Sequence, residues 1–332
     1  MRAVPAIQRE SADAGPSERP GQHMFNALFD EPWWLTAVAP GQWGAVEIER
    51  GGQVVARLPY VIRRRLGVTA LTMPPLTPRL GPWLAPSNAK PANQLAHQKD
   101  LMTELIQGLP PHHYFLQHFH YAITNWLPFH WQGFEQTTRY TYVLDNLSDL
   151  ENVWAGLLVN IRTDIRKAQK QVQVRTDLDL DRFLEISSLT FARQGEASPY
   201  SRALVERVDA ACAARGVRRM FFAEDAQGRI HAAIYLVWDS QSAYYLLGGG
   251  DPALRNSGAT SLVLWEAINF AATVTQRFDF EGSMLEPVER FFRAFGARQV
   301  PYFRVTRAGR LMRLALAGRQ GVGALLGRGA PT

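Results

Sequence analysis

The sequence has almost no cysteine and no long apolar run. The single cysteine, Cys212, excludes an internal disulfide and fits a reducing compartment. No apolar stretch approaches the roughly 18 residues that indicate a membrane span, and the first residues lack the apolar core of a signal peptide. We therefore expect a cytoplasmic protein. Segment 1–24 is rich in proline, serine, glycine and charge, and we expect it to be disordered.

The rest of the composition is that of a globular protein. Apolar residues make up 46% and charged residues 20% of 332, a length sufficient for two domains. The net charge is +6, and the arginines from Arg304 onward, with no acidic residue among them, account for the excess. The body of the chain is thus electrically balanced, which argues against a general nucleic-acid-binding surface. The basic tail, 307–332, mixes arginine with leucine and predicts at most weak contact with an anionic membrane surface.

The order of predicted elements is similar in the two halves of the chain. Residues 25–149 read as a helix, a hairpin turning at Gly51 and Gly52, a Pro/Gly-rich loop, a helix and further strands. Residues 150–306 repeat helices, antiparallel strands, a glycine loop, a helix and a strand. This organisation predicts an α/β (α+β) protein with two tandem domains, 25–149 and 150–306. Each would have a mixed, mostly antiparallel sheet flanked by helices.

A glycine-rich loop, GGGDPALRNSG (248–258), joins a predicted strand to a predicted helix. The unpartnered N–H groups and the dipole of a helix N-terminus attract anions, and Gly258 would let a phosphate approach the backbone. The alternative for the loop alone is a tight connection that binds nothing. The predicted donor-binding residues lie at the strand end and in the first helical turn: Leu247, Gly248, Arg255, Asn256, Ser257, Gly258, Ala259 and Thr260.

Two carboxylates, Asp279 and Glu281, alternate with phenylalanines in the predicted strand RFDFEG. Alternation would place both on one face of the strand, beside the glycine loop. Such a pair suits the removal of a proton from an attacking amine, and we predict Glu281 and Asp279 as the catalytic residues. The alternative is a solvated face, or ion pairs with Arg290 or Arg293.

A basic run on one side of the predicted helix NIRTDIRKAQK contains Arg162, Arg166, Lys167 and Lys170. These residues are predicted to bind phosphate on a nucleotide-linked or tRNA substrate. The alternative is an ordinary solvated helix face. Asp164 interrupts the run, which weakens the case for tRNA.

Two further features of the sequence are candidates for substrate or metal binding. Arg293, in FFRAFG, keeps its proton and would act only electrostatically, on a substrate phosphate or a developing oxyanion. Five histidines fall within 112–130, but no cysteine or carboxylate accompanies them. We therefore interpret them as structural and predict no metal site.

Together these motifs resemble the Gcn5-related N-acetyltransferase (GNAT) superfamily. Arg255 and Gly258 match its pyrophosphate loop, Gln/Arg-x-x-Gly-x-Gly/Ala, whereas Thr260 departs from it at the last position. The segments NIRTDIRKAQK, FDFEG and ERFFRAFGA, with the doubled architecture, resemble the Fem-type aminoacyltransferases and related acetyltransferase-like proteins. The resemblance covers residues 26–306 in layout. It implies two tandem GNAT-like domains and transfer of an acyl or aminoacyl group to an amine.

The resemblance implies an N-acyltransferase that uses acyl-coenzyme A as a cosubstrate, with no permanently bound cofactor. The acceptor would be a small-molecule or peptide amine, and backbone N–H groups near Leu247 and Gly248 would stabilise the oxyanion. A Fem-type enzyme that uses aminoacyl-tRNA is one alternative. A non-catalytic ligand-binding protein is the other, consistent with Thr260 and with the lack of an obvious general acid. The sequence does not identify the acceptor or the oligomeric state.

Overall fold

The computed structural model describes residues 27–192, 199–282 and 284–309. The expectations for segment 1–24 and for most of the basic tail lie outside the described residues. The chain divides into two compact units, one of residues 29–139 with 301–309 and the other of residues 27–28 with 140–300. The sequence placed the boundary at 149/150 and the last strand in the second domain. In the structure, residues 140–149 belong to the second unit and residues 301–309 to the first.

The first unit contains one mixed sheet and three helices. The elements are α1 (Pro32–Val38), β1 (Trp43–Arg50), β2 (Gln53–Arg65), β3 (Val68–Thr72), β4 (Trp83–Leu84), α2 (Pro91–Gln107), β5 (Tyr114–His118), α3 (Leu127–Trp131), β6 (Glu135–Leu144) and β12 (Arg298–Ala308). The strands lie in the order β1-β2-β3-β5-β12, with β4 on β2, and among these described pairs β3–β5 is parallel and the others are antiparallel. The first residues of β6, 135–139, also belong to this unit.

Local sequence signals explain most of these elements. Each of the three helices has proline in its first turn, where no intrahelical N–H partner is lost. The β1–β2 hairpin turns at Gly51 and Gly52, both of which have positive φ, as a tight hairpin turn requires. The core of the unit forms where α2 packs its apolar face, including Leu101 and Leu105, against the sheet residues Phe115 and Val305.

The second unit contains the remaining sheet, in the order β6-β11-β10-β9-β8-β7. All its recorded strand pairs are antiparallel except β10–β11. Its other elements are α4 (Leu150–Gly156), α5 (Val159–Ala168), β7 (Val172–Arg175), α6 (Leu180–Ala192), α7 (Arg202–Ala213), β8 (Arg218–Asp225), β9 (Ile230–Trp238), β10 (Ser242–Gly250), α8 (Ala259–Ala271), β11 (Arg277–Asp279) and α9 (Glu286–Arg293).

Helix α8 is largely buried in the second unit, with nine of its 13 residues buried. Its apolar residues, including Leu262, Val263 and Ile268, pack with α5 and with β8 and β9 into one core. A helix that is apolar nearly all round is typical of such a central position. The predicted α/β (α+β) class, with mixed, mostly antiparallel sheets flanked by helices, is confirmed. Among the described helices, none is long and apolar enough to span a bilayer.

Candidate functional site

Strands β10 and β11 form an opening in the second unit. They pair in parallel over three positions only, from Ser242 opposite Arg277 to Tyr244 opposite Asp279. Beyond Tyr244, β10 continues to Gly250 along β9, with a bulge between Tyr245 and Leu247. The chain after β11 instead continues along β6, where the N–H of Phe280 donates a hydrogen bond to the backbone carbonyl of Tyr142. The β10 edge facing the opening therefore presents backbone groups that the β10–β11 ladder does not use.

Tyr245 lies at this opening and was not singled out by the sequence analysis. Its ring packs edge-on against Phe292, with centroids 5.8 Å apart. A Cβ on Gly248 would overlap the Tyr245 hydroxyl, so the glycine makes room for the phenol. Burial raises the pKa of Tyr245 to about 12, and the phenol therefore keeps its proton at neutral pH. The signal for it in the sequence is a tyrosine pair separated from the glycine run by two leucines.

The glycine loop leads from β10 directly to the N-terminus of α8. Arg255–Ser257 form a single 3₁₀ turn, followed by Gly258 with φ of +80° and then by α8. Ser257 is buried and its Oγ accepts a hydrogen bond from the N–H of Ala259 at 3.3 Å. Arg255, Asn256 and Thr260 are exposed. The structure thus places the predicted loop residues together at one helix N-terminus, and their role in binding a donor stays a prediction.

Gly258 has a structural reason that the sequence did not reveal. A Cβ at this position would overlap the backbone of Asp164 in α5, besides requiring a left-handed conformation. The sequence predicts that a phosphate needs the space above this glycine. In the structure, α5 occupies the Cβ position, so the glycine permits close packing of α5 against the start of α8.

The three basic residues of α5 have different partners. The Arg162 guanidinium donates to the carbonyl of Ala155 at 3.1 Å, at the end of α4. The Arg166 guanidinium stacks 5.7 Å from the Trp154 ring. Lys167 donates from Nζ to the carbonyl of Asn256 in the glycine loop. Of the three, Lys167 therefore brings its positive charge to the predicted anion site.

The two predicted catalytic carboxylates occupy different environments. Asp279 is 0% exposed, and its Oδ1 accepts from Thr141 Oγ1 at 2.5 Å and from the Glu281 N–H at 2.9 Å. Glu281 lies beyond the end of β11, half-buried, with φ of +60°. The strand alternation expected for this pair therefore stops at Asp279. A glutamate held in the left-handed region is strained, which is typical of functional positions.

The Thr141 hydroxyl fastens Asp279 to β6, and its removal should be measurable. Thr141→Val keeps the shape but leaves a buried carboxylate without this donor, so we expect a loss of about 1–3 kcal/mol in unfolding free energy. Thr273→Val is the matched control, because that exposed hydroxyl donates only to the Phe270 carbonyl. Urea unfolding followed by circular dichroism makes the comparison. Equal stability of Thr141→Val and the wild type would show that this hydrogen bond does not anchor the carboxylate.

Arg293 forms an ion pair with Glu289 within its own helix, α9. Its Nε donates to Glu289 Oε1 at 2.9 Å, and the same oxygen accepts from the Tyr142 hydroxyl at 2.6 Å. The Tyr142 hydrogen bond, with the nearby Arg293 charge, holds the pKa of Glu289 below its usual range. The Arg293 side chain is still largely exposed. Its predicted contact with substrate stays a prediction.

Comparison with known proteins agrees with this geometry. Residues 158–293 match the model of the acetyltransferase (GNAT) domain family. The matched segment includes α5, the glycine loop and all of α9. A search of curated protein sequences found no match to the chain.

Beyond residues 158–293 as well, the fold of this chain is similar to that of a Fem protein. The structure of FemX superposes with a TM-score of 0.62 at 12% identity, covering 85% of this chain and 92% of that one. L-PGS from Bacillus licheniformis gives 0.52 at 7% identity, covering 87% and 95%. The C-terminal domain of a putative lysylphosphatidylglycerol synthetase from Agrobacterium fabrum gives 0.52 at 12%, covering 83% and 88%. The predicted resemblance to the GNAT superfamily is confirmed for residues 158–293, and the fold is similar to that of FemX.

Proposed function

We propose that this protein is an N-acyltransferase that moves an acyl group from acyl-coenzyme A to an amine. One observation carries the proposal. Strands β10 and β11 part directly beside the loop that leads into the N-terminus of α8. A thioester lying along the β10 edge and phosphates at the helix start would then bind on adjacent parts of one surface.

The charged end of the donor would bind at the glycine loop. Arg255 is exposed there, Lys167 lies against the loop carbonyl of Asn256, and the first turn of α8 adds its dipole. Guanidinium and ammonium groups form charge-assisted hydrogen bonds with phosphate oxygens. Together these groups favour a polyanionic donor such as coenzyme A.

The reaction would take place where the strands part. The amine attacks the thioester carbonyl, the C–N bond forms, and the C–S bond breaks to release coenzyme A as a thiolate, which takes up a proton from solvent. Backbone N–H groups at Leu247 and Gly248, next to the bulge, would stabilise the oxyanion. Glu281 would remove the amine proton, and Tyr245, which stays protonated, is a hydrogen-bond donor at the same opening. The acceptor would be a small-molecule or peptide amine, and a cytoplasmic location is proposed from the single cysteine.

Calorimetric titration with coenzyme A and acetyl-coenzyme A tests the donor site. We expect saturable binding to the wild type and about tenfold or greater weakening in Arg255→Gln, because one charge-assisted contact is lost. Arg64→Gln is the matched control, an exposed arginine on β2 that takes no part in the predicted donor site. Absence of binding to the wild type, or equal loss in both variants, would contradict the assignment.

Aminoacyl-tRNA is the second candidate donor, favoured by the fold likeness to FemX and by the donor that the Fem resemblance implies. Against it, Arg162 and Arg166 are engaged with α4. A tRNA-dependent enzyme would bind charged tRNA with a steep dependence on salt concentration. Coenzyme A would then fail to bind, and this result would replace the first proposal by the second.

A further inference from the structure

Three arginines surround one histidine in the first unit. Arg304 of β12 lies directly opposite His118 of β5 in the antiparallel pair, so their side chains project from the same sheet face. That face is opposite to the one on which Val305 packs with α2. The positive charges of Arg139 and Arg79 help to lower the pKa of the same imidazole. We call Arg79, Arg139, Arg304 and His118 the arginine cluster.

Aromatic rings and burial fix the position of this cluster. Arg79 is only 2% exposed, and its guanidinium lies 5.2 Å from the Tyr121 ring and 5.7 Å from the Tyr302 ring. The His118 ring lies 6.0 Å from Tyr302. His118, Arg139 and Arg304 are partly exposed, so a ligand can reach them from solvent. The arrangement is a cationic surface with an aromatic wall.

Among the described residues, carboxylates neutralise only part of the positive charge of the arginine cluster. Within the described part of the chain, Arg139 and Arg304 have no carboxylate partner within 4 Å, and the buried Nε of Arg139 has no hydrogen-bond acceptor. Partly buried guanidinium groups gathered together repel each other, and a bound anion relieves that repulsion. Burial and the three arginines lower the pKa of His118 to about 4, so the imidazole adds no charge at neutral pH.

We propose that the arginine cluster binds a phosphate group of a ligand. Guanidinium forks match phosphate oxygens in geometry, and arginine is favoured wherever planar, bidentate recognition of an oxyanion is needed. The two charges of Arg139 and Arg304 favour a dianion over a single carboxylate. The site belongs entirely to residues of the first unit, so the proposal goes beyond the acyl-transfer function and stands independently of it.

The wild-type protein tests the proposal through the His118 ring. An anion held among the arginines stabilises the imidazolium, so saturating inorganic phosphate should raise the pKa of His118 above about 4. Histidine proton resonances, assigned with a His118→Asn variant, are followed against pH with and without phosphate. Acetate at equal ionic strength is the comparison, and we expect a smaller shift. An unchanged His118 titration in phosphate would overturn the proposal, and an equal shift in acetate would make the site one for carboxylates.

Variants then identify the residues. Arg304→Gln should weaken phosphate binding about tenfold or more, and Arg304→Lys should retain part of it, because the charge survives without the fork. Arg64→Gln is the matched control, an exposed arginine on β2 of the same unit. Its affinity should equal that of the wild type. Equal affinity of Arg304→Gln, in a variant with an unchanged circular dichroism spectrum, would overturn the assignment whatever the fate of the coenzyme A site.

Discussion

Replacing Glu281 with glutamine should lower turnover by about 10²–10⁴-fold while coenzyme A still binds, because that range is the usual contribution of a general base. The amide keeps the size and reach of the side chain but cannot take up the amine proton. Glu281 stands at the end of β11, half-buried and held at positive φ, at the opening between β10 and β11. The assay measures thiol release from acetyl-coenzyme A with an amine found by screening.

Two matched variants serve as controls for the Glu281→Gln experiment. Glu286→Gln changes an exposed glutamate in the first turn of α9 and should leave turnover unchanged. Asp279→Asn should mainly lower stability, because Asp279 is buried and accepts hydrogen bonds from Thr141 and from the Glu281 backbone. Wild-type activity of Glu281→Gln across the pH range would remove this carboxylate from the mechanism. Donor binding with no turnover for any amine would instead support a non-catalytic ligand-binding protein.

Substitution of Gly258 by alanine should destabilise the second unit by about 2–5 kcal/mol. A left-handed backbone costs a residue with a Cβ about 1–2 kcal/mol. Overpacking against the Asp164 backbone adds about 1–3 kcal/mol, since a backbone neighbour cannot move aside as a flexible side chain does. Urea unfolding followed by circular dichroism measures the change, and coenzyme A titration of the remaining folded protein shows whether the loop still binds.

Gly228 supplies the control for this experiment. It also has positive φ, +75°, in the turn between β8 and β9, but a Cβ there would meet nothing within 4 Å. Gly228→Ala should therefore show the conformational cost alone, about 1–2 kcal/mol. The difference between the two variants isolates the contact between α5 and α8. If both variants lose the same stability, that contact contributes nothing measurable.

The sequence predicted elements whose signals are local. The hairpin at Gly51 and Gly52, helix α2 and the apolar helix α8 follow from turn residues and from periodicity within a few turns. The cluster of loop residues before α8 was also predictable, because neighbours in the sequence at a strand–helix junction must be neighbours in space. The GNAT resemblance rested on this same junction.

The remainder of the site depends on contacts between distant residues. Thr141 and Asp279 are 138 positions apart, and no local pattern predicts that one hydroxyl would anchor that carboxylate. The left-handed backbone of Glu281 lies where the chain separates from β10 and continues along β6. Strand alternation within its own segment does not predict this conformation. Gly258 was predicted as a loop glycine, but its neighbour in α5 was visible only in three dimensions.

The discontinuity of the first unit has a consequence for biosynthesis. Residues 304–308 of β12 complete its sheet by pairing with β5, but they leave the ribosome only after all of 140–300. The second unit is continuous in sequence and can bury its core as soon as it emerges. The first unit meanwhile carries β5 with an open edge, a condition that invites pairing with other chains. We therefore expect the second unit to fold before the first during synthesis. Chaperones should bind mainly to the first half of the nascent chain while its sheet is incomplete.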